Sequence, residues 1–281
     1  MPNHLQQLAL RAIFGLYILC LPVSLPAYED VLPRYALVLG NANYKFSPLK
    51  NSVNDARDMA ASLRKLRYKV TLLTDKNPEQ MREGIYNFFE NVKEPDAITL
   101  VYYAGHAVQA DNVNYLLPVN AGITSFEKLK QVSFSINELF RVLKHSRSKQ
   151  NVIILDACRN NPFKASAPGS QGRSVILGDS QLTSLADGLA PVEAPRNTLI
   201  AYATEPGNTA SDGKGRNGAY TSALLHHISR SETAEVLFKK VRKEVLRSTR
   251  YKQTPWEHSS LTEKFYFMPP SNEEIPDIIG F

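Results

Sequence analysis

Short apolar runs alternate along the chain with longer stretches in which apolar residues recur every three or four positions. Runs of the first kind, typical of buried strands, cover residues 35–39, 68–73, 97–103, 152–155, 198–203 and 264–267. Stretches of the second kind, typical of amphipathic helices, cover residues 52–67, 78–92, 135–143, 220–228 and 234–247. Because strands alternate with helices, the pattern predicts an α/β protein with a mostly parallel sheet and helices on both faces.

Residues 159–196 interrupt this alternation, since prolines, glycines, serines and alanines replace the apolar pattern. A loop of this length inside a compact domain is usually functional or mobile. We therefore expect it to lie near a site of chemistry or to be a linker between two parts of the domain.

The first 27 residues form a separate segment with one arginine, no acidic residue and an apolar run that ends in small residues near Ala27. The run is about 15 residues long, whereas a membrane-spanning helix needs about 20. The segment is therefore predicted to be a secretory signal peptide, with export to the periplasm or outside the cell. The alternative is an uncleaved N-terminal anchor, the only case in which we expect a membrane partner.

Composition and charge narrow the functional classes. With 43% hydrophobic and 21% charged residues, the chain has the composition of an ordinary globular protein. Its formal charge is +6, and the sequence contains no run of five or six basic residues. Nucleic acid is therefore not predicted as a partner. Loss of residues 1–27 would remove Arg11 and Cys20, so the charge would fall from +6 to +5 and Cys158 would be the one remaining cysteine. A single thiol in an exported protein calls for a functional explanation.

Two predicted strands end at residues with nucleophile and base chemistry. His106 follows Gly105 after one strand, and Cys158 follows Asp156 and Ala157 after another. The carboxyl ends of parallel strands meet at one edge of a sheet, and histidine is the usual partner that activates a thiol. The N–H groups of Gly105 and Cys158 are candidates to hold an oxyanion. Taken singly, the cysteine would be a small core residue and the histidine a turn residue, but the pair predicts covalent catalysis.

Other chemistries receive little support from the residues. No strand is followed by a dinucleotide glycine fingerprint or a phosphate loop, and the glycine-rich residues 212–218 lack the required Lys-Ser/Thr pair. We interpret residues 212–218 as a wall of the cleft. No cluster has the ligand spacing of zinc, so neither a metal site nor a cofactor is predicted. Four further histidines are interpreted as surface or packing residues: His145, His226, His227 and His258.

Several ordered motifs resemble the caspase-like cysteine peptidases, in particular the bacterial metacaspase and orthocaspase branch. Tyr-Tyr-Ala-Gly-His106 and Asp-Ala-Cys158-Arg, 52 residues apart, resemble the catalytic dyad of that family. Four further segments also resemble it: YALVLGNANY (35–44), LKNSVNDA (49–56), NYLLPVNA (114–121) and residues 197–228. The resemblance implies a caspase-like three-layer α/β/α sandwich and a cysteine endopeptidase with His106 and Cys158 as its dyad.

The resemblance also implies a division of the chain into parts. The peptidase domain would cover residues 34–268, with a large-subunit-like part at 34–160, a linker loop at 161–196 and a small-subunit-like part at 197–268. Residues 269–281 would be a C-terminal tail. Some members are cut in this linker, and Lys164, Arg173 and Arg196 are candidate sites for cutting by the enzyme itself; the alternative is an intact flexible loop that lines the cleft.

Specificity is where the sequence departs from the animal caspases. They carry glutamine two residues before the nucleophile, and this chain carries Asp156. An acidic group there favours substrates with Arg or Lys, as in metacaspases, whose second acidic residue corresponds to Asp55. Alternatively, Asp156 caps the turn after its strand and Asp55 stabilises a helix N-terminus. Some metacaspases use calcium, but no calcium cage is visible here. A catalytically silent caspase-fold binding protein is the alternative function.

The linker hypothesis predicts a difference between the purified chain and its Cys158→Ala variant. We expect mass spectrometry to find a new N-terminus near residue 27 in both proteins, because signal removal does not need Cys158. Cuts after Lys164, Arg173 or Arg196 should occur in the wild type alone, because the variant lacks the expected nucleophile. Equal cutting of both proteins would assign these cuts to a different peptidase.

Overall fold

The computed structural model describes residues 32–45, 47–94, 96–146, 148–158, 163, 180–183, 185, 189, 192–205 and 215–270. The strands are β1 (Arg34–Gly40), β2 (Lys69–Thr74), β3 (Ile98–Ala110), β4 (Val113–Leu116), β5 (Phe134–Ser135), β6 (Gln150–Cys158), β7 (Thr198–Tyr202) and β8 (Trp256–Ser259). The helices are α1 (Ser52–Lys65), α2 (Pro78–Glu90), α3 (Phe126–Val132), α4 (Ile136–His145), α5 (Ser180–Thr183), α6 (Ala219–His227) and α7 (Ala234–Ser248).

The central sheet is mostly parallel, as the alternating pattern predicts. Its strand order is β2-β1-β3-β6-β7-β8, and every neighbouring pair is parallel except β7 with β8. The middle strands β1, β3 and β7 are almost entirely buried. Their nearly continuous apolar sequences follow from this, because a strand covered on both faces has no side that needs polar residues.

Helices cover both faces of the sheet and complete a three-layer α/β/α sandwich. One core packs α1, α6 and α7 against the sheet and includes Leu100 and Tyr102 of β3. The other core packs α2 and α4 against the opposite face and includes Val101 and Tyr103. Successive residues of a strand point to opposite faces, so a single apolar strand supplies both cores. The predicted fold class is confirmed.

Strand β3 continues well beyond the end that the sequence predicts. The expected strand stopped at residue 103, but β3 runs on to Ala110 because its second half pairs with β4 in an antiparallel ladder. His106 therefore lies within the strand and not just after it. Between β3 and α4 the chain forms three short elements, β4, α3 and β5. The apolar pattern of the sequence predicts none of them.

The last predicted strand is wrong. Residues 264–267 form only an isolated bridge, Thr233 with Tyr266, and the strand that closes the sheet is β8. Phe265 and Phe267 alternate in sequence like strand residues, but both are buried in the core beside α7. The ring of Phe267 lies 5.0 Å from that of Phe265 and 6.0 Å from that of Phe238 on α7. Their alternation therefore reflects helix packing.

The predicted N-terminal segment, residues 1–27, lies outside the described residues, as does most of the predicted tail. Within the described ranges, none of the helices combines the length and the apolar character that crossing a membrane would require.

The contact between β1 and α1 depends on the absence of a side chain at Gly40. A Cβ atom there would lie 2.5 Å from the Cβ of Ala56 and 2.7 Å from the Ser52 carbonyl oxygen. Both neighbours belong to α1, and neither is the end of a flexible side chain. The helix can therefore pack over the end of β1 only with glycine at this position.

Gly40→Ala should destabilise the protein, because the added methyl group forces α1 away from the sheet. We expect urea unfolding to report a loss of about 1–3 kcal/mol in the free energy of unfolding. Gly215→Ala is the matched control, since a Cβ at Gly215 meets no atom within 4 Å. The control should change stability by less than about 0.5 kcal/mol. Equal losses in the two variants would contradict the packing argument.

Candidate active site

The register between β3 and β6 brings the predicted dyad together. Cys158 is the last residue of β6, and its Cα is the register partner of the Cα of His106. Adjacent strands lie about 4.8 Å apart, so the two backbones are immediate neighbours. This pairing is parallel and continuous from Ile98 with Gln150 onward. The two residues are thus neighbours because the apolar halves of their strands pair in register.

The ring of His106 is held by the loop after β1. Its Nε2 atom lies 2.6 Å from the carbonyl oxygen of Ser47, and its centroid lies 4.5 Å from that of Tyr44. A carbonyl oxygen only accepts, so Nε2 carries a proton, and in the neutral ring Nδ1 keeps the lone pair. The ring is thereby set in the tautomer in which Nδ1 is the basic nitrogen.

Two tyrosine hydroxyl groups fix the backbone at His106. The N–H of His106 donates to the Tyr44 hydroxyl at 3.0 Å, and that hydroxyl donates to the Leu117 carbonyl at 2.9 Å. The hydroxyl of Tyr103 donates to the His106 carbonyl at 2.6 Å, and the Leu117 N–H donates to the same carbonyl at 3.0 Å. Both main-chain polar groups of His106 are therefore satisfied inside the protein, and the residue has little freedom to shift.

Gly105 has a structural reason to be glycine. A Cβ there would lie 2.6 Å from the Tyr103 hydroxyl oxygen and 2.8 Å from that of Tyr44. The structure requires glycine at this position because the two tyrosine hydroxyl groups occupy the space that a side chain would need. Gly105 is the register partner of Ala157, one step before the dyad positions. Its role in an oxyanion hole stays a prediction.

Asp156 is bound to helix α6. Its carboxylate accepts a hydrogen bond of 2.6 Å from the hydroxyl of Thr221, and the Tyr102 hydroxyl lies 2.5 Å from the same Thr221 oxygen. The single proton of Thr221 goes to the carboxylate, so Tyr102 is the donor to Thr221. Asp156 is half-buried. A chain of two hydroxyl groups thus leads from the core of the sheet to this carboxylate.

Asp55 also reaches the start of α6. It lies in the first turn of α1, is 4% exposed, and accepts a 3.0 Å hydrogen bond from the N–H of Gly218. Gly218 is the N-cap residue of α6. The alternative interpretation of Asp55, a carboxylate at a helix N-terminus, thus matches a contact with α6 as well as its place on α1.

The two carboxylates act on the same buried hydroxyl. Burial raises the pKa of Tyr102 well above its ordinary value, and the negative charges of Asp156 and Asp55 raise it further. Burial and then Asp156 raise the pKa of Tyr220 in the same direction. Tyr102 therefore remains a proton donor throughout the physiological range. The first turn of α6, α1 and the end of β6 meet at one acidic centre.

The segment before α6 is fastened to α1 by a third carboxylate. Asp58 accepts hydrogen bonds of 2.8 and 2.9 Å from the Arg216 guanidinium and one of 2.9 Å from the Asn217 amide. The hydrogen bond from Arg216 is the main cause that holds the pKa of Asp58 below its ordinary value. This part of the glycine-rich stretch lies against α1; residues 206–214 lie outside the described residues.

A cavity of about 200 Å³ opens beside His106. The residues that line it come from the loop after β1, from the segment after β4 and from one position after β6. They are Tyr44, Lys45, Ser47, His106, Leu117, Pro118, Asn120, Ala121, Gly122, Ile123 and Phe163. Neither Asp55 nor Asp156 is among them, so the cavity and the acidic centre are two separate regions, both next to the dyad strands.

The predicted linker is described only in part. Lys164 and Arg173 lie outside the described residues, whereas Arg196 is exposed directly before β7. Helix α5 falls inside the predicted linker, and three leucines there are buried. They are Leu182, Leu185 and Leu189. Part of this stretch is thus packed against the domain.

One cluster away from the dyad has metal-ligand chemistry. Among the described residues, ligand atoms of His226, His227 and Glu244 lie within 4.8 Å of one another. Both rings contact the same Glu244 oxygen, at 3.0 and 2.9 Å. The buried Nδ1 of His227 has no hydrogen-bond partner among the described residues, so a proton there would be costly. A metal on Nε2 would require that proton, and the geometry favours a hydrogen bond from Nε2 to the carboxylate.

Three comparisons relate this chain to known proteins. The family model of the caspase domain matches residues 33–266. The human mucosa-associated lymphoid tissue lymphoma translocation protein 1 is 25% identical over 238 residues, which are 82% of this chain and 26% of that protein. Its mouse homologue is 24% identical over 238 residues, which are again 82% of this chain and 26% of that protein. The chain thus spans about a quarter of the length of these curated relatives.

The fold has a solved counterpart. The crystal structure of caspase-1 from Spodoptera frugiperda aligns with a TM-score of 0.59 and 16% identity, over 85% of this chain and 93% of that one. At this identity the likeness is informative about the fold alone. It confirms the caspase-like sandwich that the motifs predicted.

Proposed function

Because the chain belongs to the caspase-domain family, we propose that it is a cysteine endopeptidase that uses Cys158 and His106 and cleaves after Arg or Lys. One observation carries the proposal: the β3–β6 register pairs His106 with Cys158 at the carboxyl end of β6, beside an acidic centre. Covalent catalysis needs a nucleophile and a base within reach of each other, and adjacent register positions support this pairing.

The reaction follows from the roles of the two side chains. The Cys158 thiol gives its proton to Nδ1 of His106, and the thiolate attacks the scissile carbonyl carbon. The N–H groups of Gly105 and Cys158 would hold the oxyanion. His106 then protonates the leaving amine as the C–N bond breaks, and water hydrolyses the acyl-enzyme with His106 as base. The Ser47 carbonyl, 2.6 Å from Nε2, stabilises the imidazolium that forms between these steps.

Substrate preference follows from the charge of the acidic centre. Asp156 and Asp55 would bind a guanidinium or ammonium group through charge-assisted hydrogen bonds. A carboxylate accepts several hydrogen bonds. The contact of Asp156 with Thr221 and that of Asp55 with Gly218 therefore orient the two carboxylates and still allow a cationic ligand to bind. An acidic side chain in the same place would face two negative charges.

The setting of the enzyme is part of the proposal. We propose export to the periplasm or beyond, proteins or peptides with basic residues as substrates, and self-cutting in the 161–196 linker. The exposure of Arg196 supports a cut before β7.

A catalytically silent binding protein is the second candidate. It is favoured by the low exposure of His106, 3%, which a closed cleft would produce. Such a protein would keep the register of the dyad but would hold a partner in place of a substrate. The state of the thiol distinguishes the two candidates.

An activated Cys158 should react rapidly with iodoacetamide near pH 7, because His106 would favour the thiolate. We expect His106→Ala to slow labelling about tenfold, since an ordinary thiol is only a few per cent ionised at this pH. Peptide mapping would locate the label at position 158. His145→Ala is the matched control, since His145 is exposed at the end of α4. A thiol that labels at the same rate in all three proteins would exclude activation by His106.

Fluorogenic peptides test the specificity. We expect kcat/KM for Arg or Lys peptides to exceed that for Asp peptides, and Asp156→Asn to lower the Arg value about 10–100-fold through loss of a charged hydrogen bond. Asp55→Asn should act in the same direction. An amide oxygen still accepts from Thr221 or Gly218, so these changes remove charge and keep the contacts.

The control for the peptide assay is Asp111→Asn, because the Asp111 side chain is 66% exposed and pairs with Lys130 at the surface. Cys158→Ala should abolish cleavage of every peptide. A preference for Asp over Arg would disprove the proposed specificity.

A further inference from the structure

We propose that the cavity beside His106 is a subsite for the substrate residue on the leaving-group side of the scissile bond, and that it selects an apolar side chain such as leucine or methionine. The inference rests on the proposed function and adds to it a second determinant of specificity. It depends on where the cavity lies relative to Cys158, on what lines it, and on which substrate atom His106 must reach.

Except for Phe163, the cavity is lined from β3, the loop after β1 and the segment after β4, whereas Cys158 belongs to β6 on the other side of β3. Strand β3 lies between β1 and β6, and Cys158 belongs to β6. The segment after β4 runs across the ends of β1 and β2: the Leu117 carbonyl accepts from Asn41, and the Val119 N–H donates to the Lys76 carbonyl. The loop after β1 supplies the neighbouring wall. A peptide bond held between Cys158 and His106 would therefore have β6 on one side and most of the cavity lining on the other.

The chemistry of the leaving group indicates which substrate residue would lie near the cavity. His106 delivers a proton to the amine that departs, so the amine nitrogen must come within hydrogen-bonding reach of its ring. The residue that follows the bond is attached to that nitrogen. Its side chain is therefore the part of the substrate nearest to a cavity that His106 itself lines. The residue before the bond lies on the other side, toward Asp156.

The walls of the cavity are suited to an apolar group. Its apolar surface comes from Leu117, Pro118, Ala121, Ile123 and Phe163. Leu117 and Ile123, 2% and 7% exposed, belong to a third and smaller hydrophobic core, which also includes Val108, Phe126 and Leu129. The volume of about 200 Å³ is far more than a water molecule needs. Burial of an aliphatic side chain there removes apolar surface from water, which stabilises the bound substrate.

Charge at the cavity disfavours a basic residue in this position. Among its described lining residues none is acidic, and the one cation is the exposed Lys45. The acidic centre contributes no lining residue. The two regions next to the dyad thus differ in chemistry: the carboxylates of the acidic centre would select a cation, and the apolar cavity would reject one. Cleavage between a basic and an apolar residue is the expected pattern.

Internally quenched peptides with one acyl part ending in arginine test the inference. The residue after the bond is varied among Leu, Met, Gly, Asp and Lys, and mass spectrometry verifies the cut. All five peptides form the same acyl-enzyme, so differences in kcat/KM report the leaving-group side alone. We expect Leu and Met to exceed Gly, Asp and Lys by about tenfold or more, in the range of hydrophobic pocket effects.

Two substitutions at Ala121 locate the effect in the cavity. Ala121→Phe fills it and should bring the Leu:Gly ratio of kcat/KM close to 1. Ala121→Glu should lower the Leu:Lys ratio at least tenfold, because a carboxylate there attracts the cation. Thr124→Phe is the matched control: it adds the same bulk at an exposed position outside the cavity and should keep the wild-type ratios.

The outcomes separate this inference from the proposed function. Cleavage after Arg with equal rates for Leu, Gly and Asp would overturn the subsite and leave the function intact. A leucine preference that persists in Ala121→Phe would also overturn it, since the preference would then arise elsewhere. Leucine preference with cleavage after residues other than Arg or Lys would support the cavity and refute the acidic centre. Absence of all cleavage by the wild type would refute both.

Discussion

The parallel pairing of β3 with β6 is the interaction on which the site depends. Nine consecutive register pairs run from Ile98 with Gln150 to His106 with Cys158, and most lie in the core. A shift of one residue would exchange the two faces of β6 and separate the dyad positions. The apolar residues that anchor the two strands therefore set the relative position of His106 and Cys158. The hydroxyl groups of Tyr44 and Tyr103 add to this by fixing the backbone at His106.

Helix α6 is the second organising element, because its N-terminal end contacts both α1 and β6. Gly218 binds Asp55 of α1, Thr221 binds Asp156 of β6, and Arg216 just before the helix binds Asp58. The positive end of a helix favours carboxylates, so the acidic centre is stabilised by the backbone as well as by side chains. Structural support and the proposed recognition of a cation thus use the same carboxylates.

The sequence predicts local structure well and long-range contacts poorly. Periodicity identifies the central strands and the long helices, and two of those strands carry His106 and Cys158, whose catalytic roles stay predictions. The strand at 264–267 was wrong because Phe265 and Phe267 face a helix, which the same alternation cannot reveal. The carbonyl of Ser47 carries no sequence signal, since every residue has one. The hydrogen bond from the Gly218 N–H to Asp55 joins residues 163 apart in sequence, a contact that no local pattern can predict.

The connection between β6 and β7 has a consequence for the integrity of the protein. These strands are neighbours in the sheet, and α6 after β7 is tied to α1 at Asp55 and Asp58. A break at an exposed position of the chain that joins them, such as Arg196, would leave both pieces in contact through the β6–β7 ladder and through the bonds of Asp55 and Asp58 to the α6 segment. Two polypeptides produced by such a break would therefore stay together through non-covalent contacts and would still form a single folded unit.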